Sequence, residues 1–304
     1  MHQREPQAWV VLMGLLLVSL LLAMTGAAAF QGLAMLSGWG DSVMSGSLAP
    51  DAPPAERWQM RLFLAIGHIT TFLLAGWLVV RYFYPPNRRT LDYLQADRRP
   101  DRILVVAGIV LMLVAIPLVL FFYNINQAIP LPESLIGMEK QAEDTIKALL
   151  QMDNGLELLA NIFLIALLPA VGEELVFRGV VQQQLQRSIA SPWVAIVLTS
   201  AIFSFVHFQF EGFLPRMLLG MLLGWLFWRS QNLWVPVAAH FVNNAAQVVG
   251  QYLFHRELST IDLEQDIEIP WLAATVSLLF VLVIMRWMHH RTHQSLFNIH
   301  LSEK

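Results

Sequence analysis

Eight runs of mostly apolar residues follow one another along the chain, at 9–30, 62–82, 103–123, 156 to about 187, 192–209, 213–228, 233–254 and 270–288. Most approach the roughly 20 residues that a helix needs to cross hydrocarbon. In lipid a helix can satisfy its own backbone polar groups, which an isolated strand cannot. The pattern therefore predicts an all-α, polytopic membrane helical bundle with about eight transmembrane helices. Composition agrees: 56% of residues are hydrophobic and 13% charged, with mean hydropathy +0.55. A soluble domain carries about 25% charged residues.

The absence of cysteine excludes disulfides, thiolate metal sites and cysteine nucleophiles. No basic arm or Gly-rich phosphate loop is present, so nucleic acid is not an expected partner. The expected partners are the lipid bilayer and a membrane-associated peptide or protein.

Orientation is read from basic residues. Arg88, Arg89, Arg98, Arg99 and Arg102 cluster after the second run, which places that segment in the cytoplasm. Arg286, Arg291 and Lys304 place the C-terminal tail on the same side. The segments assigned outside are acidic, with Asp41, Asp51 and Glu56 in one and Asp262, Glu264, Asp266 and Glu268 in another. Eight spans then leave both termini cytoplasmic, in a multi-pass protein expected in a bacterial inner membrane. Arg4, the apolar core and Gly26-Ala-Ala-Ala29 also resemble a signal peptide. The core is long for one, so the first run is expected to be retained.

The chain divides into 1–150, N-terminal spans with an amphipathic segment; 151–255, the chemistry-bearing core; and 256–304, a last span and tail. Within 130–153 the apolar positions mark a helix lying on the outer surface or covering a cavity. The polar stretch Gln182–Arg187 is expected at an interface or in water. Arg216, near the start of the sixth run, is expected to snorkel. Gly220 and Gly224 form a small-xxx-small spacing that permits close packing.

Glu173 and Glu174 lie inside the fourth run, where ionisable residues mark functional sites by default. Glu174 and Arg178, at i and i+4, can pair on one helix face. Glu173 is rotated by about 100° and can point elsewhere. The fourth and fifth runs turn near Ala190-Ser191-Pro192. Glu173 and His207 each lie roughly 25 Å from that turn, at the same depth of a hairpin. His240 and Asn244 share a face beyond a second turn near Gln231-Asn232.

These residue types suit hydrolysis by water. A carboxylate takes a proton from water, a histidine orients it or protonates a leaving amine, and histidine or amide N–H groups stabilise an oxyanion. Glu173, His207 and His240 are also candidate zinc ligands. The H-E-x-x-H signature is missing. Zinc and a metal-free site both stay open. His68 has no carboxylate partner in sequence and reads as an interfacial histidine, as do His289, His290 and His293. A structural ion-pair network and a proton relay use the same residue types.

Three motifs together resemble a known family. Glu173-Glu-Leu-Val-Phe-Arg178 looks like E-E-x-x-x-R, Phe203-Ser-Phe-Val-His207 like F-x-x-x-H, and His240-Phe-Val-Asn-Asn244 like H-x-x-x-N. In this order, on successive membrane segments, they resemble the CPBP family of type II CAAX prenyl proteases and bacteriocin-processing (Abi) proteins. The likeness covers about 156–251. It implies an intramembrane endopeptidase in which Glu173 activates water with His207, His240 and Asn244 stabilise the oxyanion, and Glu174 and Arg178 support the site. A non-catalytic immunity or scaffold protein of the same fold is the alternative, and a transporter the third reading.

Overall fold

The computed structural model describes residues 6–39, 46–84, 90–259 and 268–302. Arg4, Asp41, Arg88, Arg89, Asp262, Glu264, Asp266 and Lys304, invoked above for orientation, lie outside them. Among the described residues every regular element is helical. The long helices are α1 (Ala8–Ser37), α2 (Pro54–Phe83), α3 (Arg102–Val114), α4 (Ile116–Gln127), α5 (Glu133–Leu150), α6 (Gly155–Ser188), α7 (Pro192–Phe205), α8 (Phe213–Ser230), α9 (Trp234–His255) and α10 (Trp271–Ser302).

All eight apolar runs are helical, yet fewer qualify as full spans. Helices α1, α2, α6, α8 (taken from Phe210) and α10 (as Trp271–Thr292) are long and apolar enough to cross a membrane. The pair α3 and α4 adds a sixth if counted as one span bent by 41°. Pro117 explains the bend, since its ring removes an N–H and crowds the preceding turn. Helix α7 has 14 residues, or about 21 Å, against a hydrocarbon core of about 30 Å. Helix α9 is long enough, but His240, Asn243, Asn244, Gln247 and Gln251 interrupt its apolarity.

Helix α6 packs against α2, α7 and α9, and α8 against α7 and α9. Close approach depends on small residues. A Cβ on Gly172 would stand 3.1 Å from Phe72 Cβ, and one on Gly76 would stand 2.1 Å from Leu175 Cδ2. The Gly220 and Gly224 pair places α8 tightly against Ser200 and Ile196 of α7 and Gln182 of α6.

The polar end of α6 is only partly solvated: Arg187 and Ser188 are exposed, but two of its glutamines are not. Gln182 and Gln184 are fully buried. Gln182 Nε2 donates to Gly224 O at 2.9 Å, and Gln184 Nε2 donates to the hydroxyls of Tyr84 (2.7 Å) and Tyr93. Those two rings stack at 3.9 Å, with the Arg187 guanidinium over both. Burial and the hydrogen bond to Tyr84 push the Tyr93 phenol above its ordinary range. A second buried cluster lies at the other end of α6. There Arg61 donates to Asn161 Oδ1 at 2.8 Å and to Glu157 at 3.1 Å.

Candidate active site

The middle of α6 carries the glutamates. Turns of π-helix flank its α-helical part, at Ile162–Leu167 and Phe177–Gln182, and such turns are frequent at functional sites. Glu174 and Arg178 are fully buried and form the expected pair, Nη1 to Oε1 at 2.9 Å. The second arm of the guanidinium donates to Gly220 O at 2.9 Å. Oε1 of Glu174 also takes His240 Nδ1 at 2.9 Å.

Glu173 points the other way, into a cavity of about 470 Å³. That volume lies within the roughly 300–1,000 Å³ of ligand pockets. Its polar wall is Glu173, His68, His207, His240, Arg216, Asn243, Asn244 and Gln247; Leu64, Leu164, Leu219 and Leu223 contribute to the apolar wall.

Three imidazoles surround the Glu173 carboxylate. Nε2 of His68 lies 3.7 Å from Oε1, Nε2 of His207 4.0 Å from Oε1, and Nε2 of His240 3.9 Å from Oε2. Nδ1 of His68 faces Leu64 O at 3.2 Å, and Nδ1 of His207 faces Phe203 O at 2.7 Å. A carbonyl can only accept, so these two Nδ1 atoms carry the hydrogen. In all three rings Nδ1 is held by the protein and Nε2 is turned to Glu173. Separations of 3.7–4.0 Å exceed a direct hydrogen bond, and a water touching both partners would sit beside each pair, on the cavity side.

His68 was missed from sequence. It sits on α2, just before the π turn Ile69–Leu74, and no local motif ties it to a carboxylate. Far from being merely interfacial, it comes nearer Glu173 than either motif histidine.

Asn244 lines the cavity, and its Nδ2 reaches Ile165 O at 3.5 Å. Pro169 follows the π turn, whose ladder runs five residues back (Leu168 N–H to Phe163 O), and it has no N–H to continue that ladder. Asn243 donates to Asn244 Oδ1 at 3.2 Å, which occupies the amide oxygen and leaves the NH₂ one hydrogen beyond that directed at Ile165 O.

Arg216 does not snorkel away. It lines the cavity and donates from Nη1 to Gln209 O and from Nη2 to Gln209 Oε1, both at 3.0 Å. The guanidinium lies over Gly212, where a Cβ would stand 2.9 Å from Nη2. The turn between α7 and α8 is held from outside. Asn126 donates to Phe210 O at 2.8 Å and accepts from Leu214 N at 2.7 Å, while Glu139 of α5 accepts from the N–H groups of Phe210 and Glu211.

Tyr123, Ile146 and Gly212 line the cavity on the side of the 128–154 segment. Ile146 makes α5 part of the cover, one of the two placements expected for that segment. This end lies across α3 and α4 from the arginines at 98–102. A cavity open to the cytoplasm therefore requires the 128–154 end, not the arginine-rich end, to face the cytoplasm.

The donor types around Glu173 would suit zinc. Among the described residues, however, no three His, Asp or Glu side chains are placed so that they could hold an ion. The candidate ligands Glu173, His207 and His240 are not so placed in this structure, and no step below uses a metal.

The three motifs thus converge on one carboxylate and one cavity. Residues 155–246 match the family model described as Type II CAAX prenyl endopeptidase Rce1-like. No curated protein and no solved structure matches the chain. The Rce1-like segment runs from the start of α6 into α9. It holds Glu173, Glu174, Arg178, His207, Arg216, His240 and Asn244, while His68, Asn126 and Glu139 come from outside it.

Proposed function

We propose that the chain is an intramembrane endopeptidase that hydrolyses a peptide bond of a membrane-associated substrate with a glutamate-activated water. One observation carries the reading: a carboxylate inside an apolar span, facing a cavity, with the Nε2 atoms of three held histidines 3.7–4.0 Å away. The Rce1-like match of 155–246 supports the same class of reaction.

In this mechanism water touches Glu173 and the Nε2 atoms of His207 and His240 from the cavity side. Glu173 takes one proton as the oxygen attacks the carbonyl carbon. The new oxyanion takes hydrogen bonds from the Asn244 amide and His240. A donor of this kind contributes about 2.7–4 kcal/mol of activation free energy. The charge of His240 is balanced through Nδ1 by Glu174, which Arg178 holds in turn. The role of Glu174 and Arg178 is therefore to position His240.

The test is a substrate trap. Full-length Glu173→Gln protein in its native membrane should accumulate peptides that the wild type removes, and proteomics of the bound fraction should identify them. Turnover equal to wild type in that variant would sink the proposal.

A further inference from the structure

We infer that His68 is a further catalytic residue, the acid that protonates the leaving amine. The inference rests on the endopeptidase reading above. His68 lies outside the Rce1-like segment and outside all three motifs. Its Nε2 is nonetheless the imidazole nitrogen nearest Glu173 Oε1, at 3.7 Å.

The ring is set in place by the same device that sets His207. Nδ1 of each binds the carbonyl four residues earlier on its own helix, so Nε2 must face the carboxylate. Phe72 flanks the ring, with centroids 5.5 Å apart, and Phe72 Cβ abuts the Gly172 backbone beside Glu173. The contact between α2 and α6 thus fixes the histidine against the base. The three rings differ in their ties. His240 is clamped by Glu174 and shares Oε2, whereas His68 and His207 share Oε1. His68 and His207 keep 24% and 27% of their side chains exposed, against 8% for His240; with His207 assigned to the attacking water, His68 is the ring left to reach both Glu173 and a substrate in the cavity.

The proton count closes. Glu173 takes one proton from the attacking water, and the hydroxyl oxygen bonds to the carbonyl carbon. His68 enters the cycle as the imidazolium, with one N–H on Leu64 O and the other, at Nε2, toward Glu173. The C–N bond breaks, its electron pair leaves with nitrogen, and that nitrogen takes the Nε2 proton of His68, which becomes neutral. The proton on Glu173 then returns to His68 through cavity water. The sum is water plus peptide giving an acid and an amine.

The test uses full-length protein in detergent and one peptide recovered with Glu173→Gln, synthesised as the amide and as the ester at the cleaved bond. An alcohol leaves without the protonation that an amine needs. His68→Gln should lower kcat on the amide about 100-fold, with KM little changed and the ester affected only a few-fold. His68→Asn gives a second measurement should His68→Gln melt early. Equal losses on amide and ester would make His68 structural and overturn the inference, as would an unchanged amide rate. Cleavage of both by Glu173→Gln, or of neither by wild type, would instead bring down the endopeptidase reading and this inference with it.

Discussion

Nη2 of Arg178 donates to the carbonyl oxygen of Gly220 at 2.9 Å, and one helical turn further along Nε2 of Gln182 does the same to Gly224. Two side chains of α6 thus read two backbone carbonyls of α8 in register. Only glycine at both points lets the helices come this close. Gly220→Ala would put a Cβ 3.0 Å from Ser200 Cβ, an atom that cannot swing away. Thermal melting in detergent should show a loss of about 1–3 kcal/mol. Gly32→Ala, in α1 with nothing within 4 Å, should instead gain about 0.5–1 kcal/mol. Equal effects at the two sites would refute the packing argument.

The adjacent glutamates should separate by phenotype. Glu174→Gln leaves the fully buried Arg178 charge without its partner, a change that typically costs about 3–5 kcal/mol. Glu173→Gln should leave the melting temperature near wild type and remove turnover. A Glu174→Gln protein as stable as wild type would show that the pair holds little.

Chelation should leave activity in place. The imidazoles and Glu173 are not grouped to hold an ion, so dialysis against a strong chelator, with metal content read by mass spectrometry, should give metal-free protein with wild-type kcat. Loss of turnover restored by added zinc would contradict this.

The lack of cysteine makes topology directly measurable. Single cysteines at the exposed positions 98 and 128 lie at opposite ends of the bent α3–α4 pair. A membrane-impermeant thiol reagent should label Arg98→Cys only from the cytoplasmic side and Ala128→Cys only from the other, following the arginine distribution. The reverse pattern would turn the cavity toward the cytoplasm.

Local spacing made part of the site legible. The i, i+4 rule gave the Glu174–Arg178 pair, and equal counts from Ala190 at the turn put His207 at the depth of Glu173. His68 was not legible, because its partner is set by how α2 crosses α6 at Gly172, and no pattern within either helix encodes that crossing. Gln182 and Gln184 looked solvated because their partners, Gly224, Tyr84 and Tyr93, come from distant segments. Hydropathy alone did not register that α7 stops at Phe205, short of the length of its apolar run. Arg216 looked like a snorkelling residue until the turn at Gln209–Gly212 gave it acceptors.

The missing amide hydrogen of Pro169 has a consequence for how the protein can change. A proline inside a helix costs about 3 kcal/mol, so Pro169→Ala would make α6 more regular. It would also supply the N–H missing just after the π turn and let the ladder reset beside Ile165, whose carbonyl Asn244 reaches with the amide we assign to the oxyanion. Selection for a sturdier helix and selection for turnover therefore pull in opposite directions at this one residue. A stabilising screen that ignores activity would be expected to replace it early.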